Sequence, residues 1–326
     1  MTTDPRQPNV VLPPRDRLGS EPFRSGQRHQ GPRIGLVATM PRSGTWYNNS
    51  FFYFYVQLLE GKEDLSVIKT SINLSLSDPR QLLGVRYFMI SHMICPGFAD
   101  VRESDRSPWK TLRFVFPGFD WGTDHLHTLC QQEDCNPLRN ANVRIVYYYR
   151  NPLDQAVSMF GHYQNKRRAP LFYRDETGKE HCIDHARTYL FHGGLESYIK
   201  QYYTFYRIKT LCPDNLLMIP YETLVRRPAE TFLRVLAFLG HDIGNPAHRE
   251  RIAIALKLSS KGSLTRMEKR FDRGASRGRT ASGSGGKHIL DGSIGRWRQC
   301  LSQDDLKQVD QQLSSFGLHL RDFHIV

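Results

Sequence analysis

Met40-Pro41-Arg42-Ser43-Gly44-Thr45-Trp46-Tyr47 gathers a guanidinium, two hydroxyls and a glycine into one short run. Before it, Ile34 to Ala38 is a brief apolar stretch, the pattern of a buried parallel strand. After it, Asn48 to Leu59 reads as a helix that ends near Gly61. A strand, a tight polar turn and a helix together offer backbone N–H groups and a positive helix end to an anion. Arg42 adds a planar fork of donors, and Ser43 and Thr45 add hydroxyls. The chemistry on offer is therefore phosphate binding, and the competing reading is a plain strand-to-helix turn. The run is not the triphosphate loop G-x-x-x-x-G-K-[ST]. Its first glycine is missing, no lysine follows Gly44, and Trp46 stands where a hydroxyl would hold magnesium.

Tyr149-Arg150-Asn151-Pro152-Leu153-Asp154-Gln155-Ala156-Val157-Ser158 is the second run of this kind. Asn151-Pro152 predicts a helix start, with an N-cap followed by proline in the first turn. Arg150 then ends a strand and Ser158 lies about two turns into a helix. Both can face one anion above the carboxyl edge of a sheet, where α/β folds bind ligands. The alternative is an edge arginine paired with Asp154 beside an incidental serine. His92 follows a predicted strand, Val85 to Ile90, and can take a hydroxyl proton near neutral pH. Gly292-Ser293-Ile294-Gly295-Arg296-Trp297-Arg298 offers two glycines for close backbone approach and a basic residue after the tryptophan. His125, His127, Cys130 and Cys135 form a sparse constellation that fits no zinc spacing, and His181, Cys182 and His185 form a weaker one. We expect no metal site.

The elements that must carry these residues alternate strand and helix. Val143 to Tyr149 is rich in β-branched and aromatic residues and reads as a strand. Helices are expected through Ala156, Val157 and Phe160, along a Leu195, Tyr198, Ile199, Tyr202, Tyr203, Tyr206 face, and from Pro228 to Leu239, closed by Gly240. Leu216 to Ile219 is a further strand. Ser302-Gln303-Asp304-Asp305 opens the last helix with a capping-box pattern. Residues 166–193 are polar and read as irregular. Alternation of this kind implies an α/β fold, a central parallel sheet covered by helices on both faces.

A length of 326 residues allows a large core, and a net charge of +13 favours anionic partners. Aromatic residues make up 11% of the chain, too many for a disordered basic protein. No run of about 18 apolar residues suggests a transmembrane helix. The first 33 residues lack a signal-peptide core, and six cysteines in this length do not suggest a disulfide framework. The expected location is cytoplasmic. Residues 1–32, rich in proline and arginine, read as a disordered tail ahead of one domain at 33–326.

The run P-R-S-G-T at 41–45 resembles the 5′-phosphosulfate loop of sulfotransferases that use 3′-phosphoadenosine 5′-phosphosulfate (PAPS). The run R-N-P-x-D-x-x-x-S at 150–158 resembles the element of that family in which the Arg and the Ser contact the 3′-phosphate. Ser91-His92-Met93 is similar to the segment whose histidine is the general base, although Ile90 replaces its lysine. The segment 292–298 resembles the glycine-containing loop that covers the 3′-phosphate, with Arg298 at its basic position. There Leu290-Asp291 replace an Arg-Lys pair, leaving Lys287 and the arginines at 273–279 as substitutes. Tyr221-Glu222-Thr223 resembles the segment that places a tyrosine near the adenine, and Tyr47 stands where the family stacks a tryptophan on that base.

The resemblance implies a P-loop-like three-layer fold and transfer of a sulfuryl group to a hydroxyl, less readily an amine, in line with the leaving phosphate oxygen. His92 would be the base. Arg42 and the N–H groups of residues 43–45 would stabilise the leaving oxygen. Ser43, Gly44, Thr45, Trp46, Tyr47, Arg150, Ser158, Tyr221, Gly292 and Arg298 would complete the cofactor site. No metal is implied, because a sulfuryl group carries less charge than a phosphoryl group. The acceptor would be a small molecule, glycan or lipid bearing a hydroxyl, with no nucleic acid and no stable membrane insertion. Residues 93–142, which carry Trp109, Phe114, Phe116, Phe119 and Trp121, would either line an acceptor pocket or form a satellite core. Residues 266–289, basic and rich in Gly and Ser, would be a mobile loop that folds over the cofactor. A metal-dependent kinase of the same architecture and a non-catalytic nucleotide- or nucleic-acid-binding module are the alternative readings.

Overall fold

The computed structural model describes residues 34–61, 87–91, 143–166, 171–211, 213–260, 262–263 and 293–323. Four parallel strands form its sheet in the order β2-β1-β3-β6: β1 (Ile34–Thr39), β2 (Tyr87–Ser91), β3 (Val143–Tyr149) and β6 (Leu216–Pro220). The register pairs Ala38 with Ser91 on one side and with Tyr147 on the other, and pairs Tyr149 with Pro220. All four strands therefore end at one edge.

Strands β1, β3 and β6 are buried on both faces, so their side chains alternate between two cores. Ala38, Ile145, Tyr147, Tyr149 and Leu216 pack into one cluster. It is closed by α2 (Pro152–Lys166), α4 (Leu195–Leu211) and α8 (Gln303–Ser314). Val37, Val146, Tyr148, Leu217 and Ile219 pack into the other, under α1 (Thr45–Leu59), α6 (Pro228–Phe238) and α7 (Pro246–Leu258). The result is three layers, helix–sheet–helix. Stacked rings anchor both faces: Phe205 of α4 lies 3.7 Å from Tyr147, and Phe232 of α6 lies 3.6 Å from Phe51 of α1. Burying each ring contributes about 1.5–3 kcal/mol. Helix α1 is apolar almost all round, as a helix enclosed between a sheet and two other helices must be.

Two regions depart from the sequence reading. Residues 166–193 are not irregular throughout. They contain an antiparallel hairpin of β4 (Leu171–Arg174) and β5 (Glu180–Ile183), then the short helix α3 (Ala186–Tyr189). The hairpin turn is tied by Asp175, whose carboxylate accepts from the N–H groups of Thr177 and Lys179. Tyr173 of β4 stacks on His192 at 3.6 Å, within a wide turn at Leu190–Gly194. Helix α7 was not anticipated either; it starts on Asn245, whose side chain accepts from the Ala247 N–H, and buries Ile252, Ala255 and Leu258. The capping box at Ser302 and Asp305 forms as expected, with both reciprocal bonds present.

Candidate active site

The turn between β1 and α1 lies where the four strands end. Ser43 N–H donates to the Met40 carbonyl at 3.0 Å, and Met40 N–H donates to the Tyr148 carbonyl at 2.8 Å. The chain is thereby bent so sharply that Arg42 takes φ +70 and Gly44 φ +92. Gly44 caps α1 without a side-chain hydrogen bond, and the first turn of the helix carries no acidic residue. Helix geometry leaves the N–H groups of that turn without intrahelical acceptors. A positive helix end thus opens at the sheet edge. Ser43 is fully buried and its hydroxyl has no partner among the described residues. The Thr45 hydroxyl bonds that of Thr39 at 2.7 Å, and Trp46 belongs to the first helical turn.

Gly44 is required by packing as well as by conformation. A Cβ there would stand 3.2 Å from the Tyr221 ring and 3.1 Å from Leu224. Both belong to α5 (Tyr221–Arg226), which follows β6 directly. Tyr221 in turn lies under Arg150, whose guanidinium carbon is 4.9 Å from the ring centre. Burial pushes the Tyr221 hydroxyl above its usual pKa, opposed by the nearby Arg150 and Arg42. Tyr47 packs edge-on against Phe232, ring centres 5.5 Å apart, and burial together with Tyr221 raises its pKa to about 12.

Asn151 opens α2 as expected, its side chain accepting from Asp154 N–H at 2.8 Å. Arg150, 3% exposed, is not paired with Asp154. It donates instead to the Ser293 carbonyl at 2.5 Å, and its Nε is unpaired among the described residues. Asp154 reaches a different partner, the C-terminal loop. Its carboxylate accepts from Gly295 N–H at 2.6 Å, from Trp297 N–H at 3.3 Å and from the Asn151 amide at 3.0 Å. Glu222 holds the same corner, accepting from both the backbone and the side chain of Asn151. These carboxylates went unrecognised as functional in the sequence. The spacing of Asn151 and Asp154 signals a helix cap, and nothing local announces a partner 141 residues away.

The three runs thus converge. Arg42 Nε donates to Ser158 Oγ at 3.3 Å, so the turn at 41–45 and the helix after Arg150 touch directly. The loop at 293–298 is tied to both Arg150 and Asp154, and Arg298 lies 4.4 Å over the Trp297 ring. In this structure the Arg42 Nε is engaged by Ser158, and the Ser43 N–H is engaged within the turn. Strand β2 ends at Ser91, beside Ala38 of β1. His92, Gly292, the segments 93–142 and 266–289 and the tail 1–32 lie outside the described residues. So do His125, His127, Cys130 and Cys135. Among the described residues no group of three or more His, Cys, Asp or Glu could hold a metal ion. His181 pairs with Asp175 at 2.7 Å, and Cys182 is exposed.

The residues present suit a nucleotide carrying two anionic groups. The buried Ser43 hydroxyl and the Arg150 Nε are unpaired among the described residues. The surrounding donors are guanidiniums, hydroxyls and backbone N–H groups, as phosphate oxygens require. A separate cavity of about 840 Å³ lies at the opposite edge of the sheet, lined by Arg144, Lys209, Arg234 and Phe238 among others. Lys209 there is engaged with the carbonyls of Pro213 and Leu216.

The profile of the sulfotransferase domain family matches residues 124–315, more than half of the chain, and the chain belongs to that family. It is 23% identical over 219 residues to cytosolic sulfotransferase 17 of Arabidopsis thaliana, covering 63% of this chain and 61% of that protein. The matched region thus spans less than two thirds of the plant protein's length. Among solved structures, the fold is similar to a mouse sulfotransferase complexed with PAP, at a TM-score of 0.50 and 15% identity, covering 90% of this chain and 88% of that one. It is likewise similar to retinol dehydratase in complex with androsterone and inactive cofactor PAP, at a TM-score of 0.51 and 19% identity, covering 91% and 83%. At these identities the likeness is one of fold, an α/β sheet covered on both sides. No described helix is long and apolar enough to cross a membrane.

Proposed function

We propose that this chain transfers a sulfuryl group from PAPS to an acceptor hydroxyl, an amine being the lesser alternative. The observation that carries the reading is the meeting of the 41–45 turn with the 150–158 element at the carboxyl edge of a parallel sheet, through the Arg42–Ser158 bond and the Tyr221 ring that both Gly44 and Arg150 approach. Family membership and the PAP-bound fold relatives support a 3′,5′-bisphosphate nucleotide in that place. When bound, the cofactor supplies the sulfuryl group and a stable leaving bisphosphate.

The open end of α1, the N–H groups of its first turn and the Ser43 hydroxyl stabilise negative charge at the 5′ end. Arg150 and Ser158 hold the 3′-phosphate and so fix where the reacting end stands. Tyr221 offers an aromatic face beside them, and the 293–298 loop, with Gly292 before it and Arg298 within it, covers that end. His92, the residue after β2, removes the acceptor proton. The acceptor is a small molecule, glycan or lipid with a hydroxyl group. A cytoplasmic setting belongs to the same proposal and agrees with the name of the plant relative.

The test is calorimetric titration with 3′-phosphoadenosine 5′-phosphate, with ATP plus Mg²⁺, and with RNA, each with and without EDTA. Release of the bisphosphate from PAPS is then followed over a panel of phenols, sterols and sugars. Tight binding of the bisphosphate unaffected by EDTA, with acceptor-dependent release, is expected. Binding of ATP with Mg²⁺ alone would favour a kinase, and binding of RNA alone a nucleic-acid module.

A further inference from the structure

The cavity at the amino edge of the sheet lies where β3 and β6 begin, away from the carboxyl edge that carries the candidate active site. Arg144, near the start of β3, lines it. Along that strand Arg144 stands about 20 Å from Arg150, which follows the other end.

Three cations reach the cavity from three elements: Arg144 from β3, Lys209 from the last turn of α4 and Arg234 from α6. Lys209 is fixed in place. Its half-buried ammonium donates to the Pro213 carbonyl at 2.6 Å and to the Leu216 carbonyl at 2.8 Å. An ammonium has three N–H donors, so one remains for a ligand. Neither Lys209 nor the exposed Arg234 makes an ion pair among the described residues, and Asp214 is the one acid in the described lining. The Arg144 guanidinium carbon lies 5.7 Å from the centre of the Phe238 ring. Phe238 is half-buried, and with Leu217 it gives the cavity an apolar wall.

A concave space with an apolar wall and a few convergent polar groups is the usual form of a small-ligand site, and about 840 Å³ is a usual size for one. Positive charge here exceeds negative, and it is partly withdrawn from water. An anion that enters restores the balance through charge-assisted hydrogen bonds. A guanidinium fork matches the paired oxygens of a carboxylate, and the tethered Lys209 loses little freedom on binding it.

We propose that this cavity is a second ligand site, for a small organic anion with an apolar body and a carboxylate-like head. Lys209, Arg144 and Arg234 hold the head, and the body lies along Phe238 and Leu217. None of these residues belongs to the sulfotransferase site, so binding here is independent of that reading.

Ligand-observed NMR tests it with 4-phenylbutyrate, its uncharged amide and acetate. The proteins are wild type, Arg144→Gln, Arg234→Gln and, as a control at the other edge of the sheet, Arg298→Gln. Thermal melts confirm that each is folded. Arg234 is exposed, so its variant carries the test if Arg144→Gln does not fold. The wild type is expected to bind phenylbutyrate about tenfold more tightly than the amide or acetate. Arg144→Gln should weaken phenylbutyrate about tenfold, the loss of one charge-assisted bond, and Arg234→Gln about threefold. Arg298→Gln should leave it within about twofold. Equal binding of phenylbutyrate and its amide would overturn the proposal, as would affinities unchanged in the Arg144 and Arg234 variants. An equal loss in Arg298→Gln would move the anion to the other edge and overturn it too. The basic lining is a membrane contact instead if phenylbutyrate does not bind while phosphatidylserine vesicles sediment the wild type and not Arg234→Gln.

Discussion

Gly44 carries two demands in one position, a left-handed φ of +92 and the close approach of the Tyr221 ring. Gly44→Ala meets both. The conformation alone costs about 1–2 kcal/mol, and the new methyl must also push Tyr221 away from Arg150. We expect a stability loss of about 2 kcal/mol in urea titrations and a weaker bisphosphate affinity. A variant of unchanged stability would show that the turn can relax. His92→Gln is argued differently, because the group is assigned to proton removal and not to binding. Turnover should fall about 10²- to 10⁴-fold while bisphosphate affinity stays within a few fold. Near-normal turnover with the true acceptor would dismiss His92 as the base. At this scale the sequence is informative because the turn is local: Pro41 to Thr45 set their own backbone, and Asn151-Pro152 set theirs. The direction of Arg42 was not legible, since it depends on where Ser158 stands, 116 residues away.

Element by element, the positions of α2 and the 293–298 loop are linked through one carboxylate. Asp154 is 1% exposed and accepts from Gly295, Trp297 and Asn151. Asp154→Ala leaves two loop N–H groups without that acceptor and releases the Ser293 carbonyl to move away from Arg150. Hydrogen exchange at residues 294–298 should quicken at least tenfold, with weaker bisphosphate binding. Unchanged exchange there would mean that other contacts fix the loop. Helix α8 offers a pH test. Burial would raise the Asp305 pKa, but the Ser302 N–H, the Arg187 guanidinium and the Ser302 hydroxyl outweigh it and leave the value below the ordinary 3.8. A folded value below the unfolded one makes this stabilisation complete above about pH 4 and loses it as pH falls through the folded pKa. Asp305→Asn should cost about 1–2 kcal/mol at pH 7, the usual scale of a lost cap, and its acid denaturation should be less steep than that of the wild type below pH 4. Parallel acid limbs would refute the assignment. Apart from α7, the main strands and helices were readable from periodicity, whereas the β4–β5 hairpin was not. Its strands are four residues each, too short to show a clear alternation, and part of what steadies them, Tyr173 on His192, is tertiary.

On the scale of the whole molecule, the candidate site lies on the seam between two cores. Helix α1 and the turn before it pack with α6 and α7, while α2 and the C-terminal loop pack on the other face with α4 and α8. A nucleotide held at once by residues 41–45, 150–158 and 293–298 therefore ties both helical layers to the sheet edge. Bisphosphate at a hundred times its dissociation constant should add about 2.7 kcal/mol to folding stability. For a domain of this size that raises the melting temperature by about 5 °C. Charge separates how the ligand arrives from how it is held. The net charge of +13 acts through solvent, and its reach shrinks from about 30 Å at 0.01 M salt to about 8 Å at 0.15 M. Arg150 and Ser158 are buried and escape most of that screening. Raising salt across this range should slow bisphosphate association severalfold in stopped-flow measurements and leave dissociation within about twofold. If dissociation accelerates as much as association slows, the anion is held by exposed cations, and the buried corner around Arg150 is not where it rests.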